Sequence, residues 1–218
     1  MPPSQNFDIH VDVDAREIRT RGLATLGAKE IHLSRPPLEL EEAGFSLVRT
    51  LGEYSVSDGR RIKIGDKLAH GYWVVALQSR HDGDLDVFES TTDGSDYVRG
   101  ADLTLRYWKE QSDMCRRLTA AFTPPRPDQK AAVSAGVLEG AVPVSGVRYP
   151  APSHMSGWYL TTQAFSGDVK ELRVEHLYHV TARRPDLVAF LALPPGFRIE
   201  VGAQGGTAAF DARALKDA

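Results

Sequence analysis

The sequence predicts an α+β chain made of two small mixed units whose strands are mainly antiparallel. Strand-like segments come in runs, without the regular strand–helix alternation that a parallel βαβ sheet requires. An Asp-Gly turn within "RHDGD" joins two apolar segments as a hairpin, because glycine tolerates the positive φ of such turns. At "FTPPRPDQK", residues 122–130, three prolines in four residues forbid a helix and drive the backbone toward extended geometry. A boundary there divides the chain into 1–124 and 125–218. Charge shifts at the same place: 16 basic against 20 acidic residues up to Pro124, a net −4, then 10 against 9, a net +1.

In the first unit "FDIHVDV", Phe7–Val13, alternates apolar and polar residues, and "EIHLS", Glu30–Ser34, does so more briefly; both read as half-buried strands. From Leu38 to Ser55 the residues Leu40, Ala43, Phe45, Leu47, Val48 and Leu51 lie close to a helical stripe that tolerates Gly44. "GYWVVALQS" and "LDVFEST" are the two hairpin strands. "ADLTLRYWKEQSDMCRRLTAAF", residues 101–122, reads as a helix with Trp108, Cys115, Leu118 and Phe122 on one side. The second unit opens with short apolar segments separated by Gly and Pro. Asp186–Leu193, stopped by Pro-Pro-Gly, reads as a short helix, and "FRIEV" with "TAAFDA" as a closing hairpin.

At 218 residues and 42% apolar, the chain can bury an ordinary core. Its formal charge is −3, and no Lys/Arg cluster is long enough to follow a phosphate backbone, so nucleic acid is disfavoured as a partner. No basic leader and no apolar run near membrane-spanning length is present, so no membrane partner is expected. The single cysteine, Cys115, permits no internal disulfide and points to a cytoplasmic setting.

Candidate chemistry concentrates in "SHMSGW" at Ser153–Trp158 and "EHLYH" at Glu175–His179, which hold three of the seven histidines. On a helix His176 and His179 share a face, and His154 arriving from a loop would complete three nitrogen donors. A small metal-dependent hydrolase using His154, Glu175, His176 and His179 is therefore one reading. Packing and hydrogen bonding is the other, because the zinc-protease pattern places its glutamate between the histidines and here Glu175 precedes both. Cys115, although next to Arg116 and Arg117, sits on the apolar side of its helix and reads as a buried structural thiol. G-x-S-x-G, G-x-G-x-x-G and phosphate-loop patterns are absent, so neither a serine nucleophile nor a nucleotide cofactor is supported.

His81–Asp96 carries six carboxylates and no lysine or arginine. A calcium loop through Asp82, Asp84 and Asp86 fails because Val87 occupies its required glycine position. In the predicted strand Asp84, Asp86 and Phe88 share one face, and Leu85, Val87 and Glu89 the other. The stretch reads as a solvated hairpin surface or, through Asp82, Asp84, Asp86, Glu89 and Asp93, as a stripe that steers a basic partner.

"VSAGVLEG" (133–140), "VRYP" (147–150), "MSGWYLTT" (155–162) and "VEHLYHVTARRPDLVAFLALPPGFRIEV" (174–201) together resemble the bacterial immunity protein 33 domain over roughly residues 129–202. "GYW" and "VRGADLTLRYW" resemble segments of longer members of such families. The resemblance implies a protein that binds and neutralises a cognate toxin encoded beside it, with no catalytic residue, metal or cofactor of its own. It makes Ser156, Gly157, Trp158, Glu175, His176 and His179 fold determinants with possible contact roles. A secretion-system adaptor is the further alternative.

Overall fold

A computed structural model describes residues 7–57 and 61–216. By its contacts the chain divides into two compact units, Met1–Lys109 and Glu110–Ala218.

The first unit holds strands β1 (Asp8–Asp12), β2 (Glu17–Arg21) and β3 (Ile31–Ser34), helix α1 (Glu41–Val56), then β4 (Lys67–His70), β5 (Trp73–Ser79), β6 (Leu85–Ser90) and β7 (Tyr97–Arg99). They form a sheet in the order β1-β2-β3-β6-β5-β4, with β7 also on β6. Every pairing is antiparallel except β3 with β6, which the long excursion through α1 makes possible. On α1, Ala43, Leu47, Val48 and Leu51 form a core with Ile18, Ile31, Leu33, Val75, Leu77, Leu85 and Val87. Glycines in α1 permit the close approach: a Cβ on Gly44 would lie 3.0 Å from Ile18, and one on Gly52 would lie 2.5 Å from the Phe7 ring. The β5–β6 hairpin matches the sequence expectation, with Ser79 opposite Leu85 and Gly83 at φ +93°.

Helix α2 (Asp102–Arg117) contains the division between the units and is shorter than the predicted 101–122. Thr119 turns left-handed at φ 51°, its N–H reaches the Arg116 carbonyl, and the Ala120 N–H reaches that of Cys115, which together close the helix.

The second unit contains β8 (Lys130–Val133), β9 (Val144–Arg148), β10 (Met155–Thr162), β11 (Arg173–His176), helix α3 (Leu177–Arg183), β12 (Phe197–Gly202) and β13 (Gly205–Phe210). Their order is β11-β8-β10-β9-β12-β13, antiparallel except for β8 with β10. The proline-rich stretch lies against this unit: the Thr123 N–H donates to Ala192, Pro125 is buried, and the Pro127 carbonyl accepts from Tyr178. The expected helix at 186–193 is a 3₁₀ segment, Pro185–Phe190, opened by the proline at its first position. Among the described residues no helix is long and apolar enough to cross a membrane.

Candidate functional site

Strand alternation gives the first unit's sheet a polar face opposite α1. Arg19 lies across from His32, and His32 across from Asp86, so these side chains share one side with Glu17 and Asp84. The acidic hairpin is consequently not a uniform negative stripe. Arg80, one residue before the acidic run, donates to Glu17 at 2.7 Å, to Asp86 at 3.0 Å and to Asp82 at 3.0 Å. Arg99 adds bonds of 2.9 Å to Glu17 and 3.0 Å to Asp86. Burial pushes the Glu17 carboxyl up, but the hydrogen bonds from Arg80 and His32 outweigh it and hold the group below its usual range. The same Glu17 bond raises Arg80.

The His32 side chain is 3% exposed, with Nδ1 3.0 Å from Glu17 Oε2. An ionised carboxylate only accepts, so Nδ1 carries a proton and Nε2 is turned the other way. Nε2 is buried without a hydrogen-bond partner, 3.5 Å from Asp84 Oδ2. Among the described residues His32, Asp82 and Asp84 are the one set of three metal-ligand types whose donor atoms lie within 4.8 Å of one another.

The expected partner-binding acids have separate fates. Asp82 and Asp84 side chains are 41% and 32% exposed, whereas Asp86 is 14% exposed and held by two arginines. Glu89 is buried and accepts from the N–H groups of Leu103 and Thr104 and from the Thr104 hydroxyl, so it caps α2 and is not presented to a partner. Asp93 stands on an exposed turn, where bonds from the Thr91 and Ser95 hydroxyls draw its pKa down to about 2.

In the second unit Trp158 is fully buried, and its Nε1–H donates 3.1 Å to the Leu191 carbonyl. Gly157 has φ +81°, and a Cβ there would lie 2.1 Å from the Tyr149 carbonyl oxygen, so only glycine fits this irregularity of β10. The Ser156 hydroxyl donates to the Lys130 carbonyl and accepts from the Trp158 N–H, which fastens β10 to β8. Ser-Gly-Trp thus joins β10 to β8 and seats Trp158 in the core. Outside it, Tyr149, Pro150, Pro152, Met155 and Tyr159 line a shallow depression of about 420 Å³.

"EHLYH" straddles a strand and a helix, with His176 as the residue before α3. Glu175 and His179 approach only to 3.9 Å, and the rings of His176 and His179 stand edge to face, 5.9 Å between centroids. His154 is exposed in the turn before β10. The four residues of the hydrolase reading do not converge as a three-donor set. Cys115 is buried, and desolvation raises its thiol, which opposes nucleophilic use.

Residues 110–211, just under half the chain, match the family model of the Imm33-like domain. The match begins at Glu110, where the second unit begins. No curated protein and no solved structure matches the chain.

Proposed function

With an Imm33-like match over 110–211 as the premise, we propose that the protein is an immunity protein that binds one cognate bacterial toxin in the cytoplasm and neutralises it by occlusion. That match is the observation that carries the reading. Blocking requires surface and no chemistry: specific complexes bury on the order of 1,200–2,000 Å² in total. Two surfaces support it. One is the Tyr149–Tyr159 depression of the matched unit, framed by an edge-on aromatic pair 5.2 Å between centroids. The other is the acidic turn of the first unit, where Asp93 and Asp96 are exposed and suited to a basic toxin cleft.

The test is co-expression with the product of the adjacent gene, followed by binding measurements at low and high salt. An Asp93→Asn/Asp96→Asn variant is preferred to one at Asp82, Asp84 and Asp86, which would also dismantle the Arg80 network. A tight complex is expected, and the variant should slow its association and weaken its salt dependence. No complex with any neighbouring gene product overturns the immunity reading. A tight complex indifferent to the variant removes only the acidic turn from the interface.

A further inference from the structure

We propose that His32, Asp82 and Asp84 form a binding site for a divalent cation of the zinc type. The observation that points to one is the His32 ring. Its Nδ1 is committed to Glu17, while its Nε2 is buried, unpartnered and 3.5 Å from Asp84 Oδ2. Because Nδ1 is turned to Glu17, Nε2 is the ring atom that faces the Asp84 carboxylate across the gap, and both are ligand types for such an ion. A cation satisfies both.

The distances suit this occupant. Donors about 2.0–2.1 Å from a tetrahedral zinc stand about 3.3 Å apart, close to the His32–Asp84 separation. An Asp82 oxygen lies within 4.8 Å of both other donors, and its side chain is 41% exposed, so a small rotation brings it into place. Three protein donors leave a fourth position for water. An imidazole donor selects zinc-like ions over magnesium or calcium, which favour all-oxygen shells.

The surroundings are those of a supported ligand set. Glu17 fixes the ring orientation from behind, as carboxylates commonly do for metal-binding histidines, and is itself held by Arg80 and Arg99. Asp84 Oδ1 accepts the Glu30 N–H, which leaves Oδ2 to face His32. The Asp84 N–H meets Asp82 Oδ1, which holds the two carboxylates in one turn. Around the site the four carboxylates of Glu17, Asp82, Asp84 and Asp86 outnumber the two guanidinium groups of Arg80 and Arg99, an excess of negative charge that favours a cation. Lys29, bound to the Gly83 carbonyl in the same turn, moderates that charge from the rim. Asp82 would exchange some of its contact with Arg80 for the metal, and Arg80 would keep Glu17 and Asp86.

The test is calorimetric titration of Zn²⁺ into the full chain after chelator stripping, with near-UV circular dichroism as the control for folding. One ion per chain is expected. Asp84→Asn, isosteric and on a partly exposed side chain, should weaken binding at least about tenfold. His176→Gln/His179→Gln, which removes the half-buried and the exposed histidine of the second unit's "EHLYH", should leave it unchanged. Three results overturn the site: no saturable binding by the folded wild-type chain, binding indifferent to Asp84→Asn, or binding lost in the His176/His179 variant. The titration contains no protein partner, so its failure is separate from failure of the toxin reading.

Discussion

Arg80 of the first unit and Arg148 of the second are held in opposite ways. In the first, Arg80 and Arg99 meet carboxylates, Glu17 and Asp86 above all. In the second, Arg148 is buried with no carboxylate: it donates to the carbonyls of Ser156, Thr123, Leu191 and Leu193 and lies 6.0 Å from the centre of the Trp158 ring. Desolvation lowers its pKa to about 10, so it stays charged throughout the physiological range. An arginine held by carbonyls is a fixed staple, because its acceptors do not titrate. A network of carboxylates responds to protons and to cations. Arg148 therefore staples the centre of the unit that matches the Imm33-like model, whereas the Glu17 network makes one face of the other unit responsive to charge.

Removing the staple is expected to have the largest effect. Arg148→Met keeps much of the volume but leaves four carbonyls to find other partners, and should cost about 3–5 kcal/mol in denaturant unfolding. Glu17→Gln keeps one acceptor but loses the charge opposite both arginines, and about 1–3 kcal/mol is expected by the same measurement. If the order of these two losses is reversed, the contrast between staple and network is wrong. The smallest effect is a pH window. The folded pKa of Glu17 lies below its ordinary 4.5, so its stabilisation is complete above that value and declines as pH falls through the folded pKa. Amide signals of β2 and β3 should therefore broaden in acid below about pH 4.5, while those around Arg148 persist. Simultaneous loss of both sets would erase the distinction.

Much of this architecture was legible because periodicity and turn chemistry agreed. Period two marked β1 and β3, the Asp-Gly turn marked the β5–β6 hairpin, and the α1 stripe showed through its glycines. The alternation even placed Glu89 with Leu85 and Val87, on the face where it proves to be buried. What it could not show is that α2 needs an acceptor at its first turn, which makes an apolar-face carboxylate useful there. The electrostatics of the hairpin were hidden for a related reason. The acidic run starts at His81, so Arg80 falls just outside it, while Glu17, His32 and Arg99 arrive from strands far away in sequence. Sheet order brings them together, and sheet order is not a local property of sequence. In the second unit the Ser-Gly-Trp signal had a local cause, the backbone approach that only Gly157 permits.

The Glu89 cap couples a helix to a hairpin. The first amides of a helix ordinarily exchange their hydrogens with solvent quickly, since nothing inside the helix accepts them. Here the Leu103 and Thr104 amides are bound by a side chain that belongs to β6. Their exchange rate consequently reports on the integrity of a strand more than ten residues away in sequence. Deuterium uptake at these two positions would register any partner that pries β6 from its neighbours, before the helix itself unwinds.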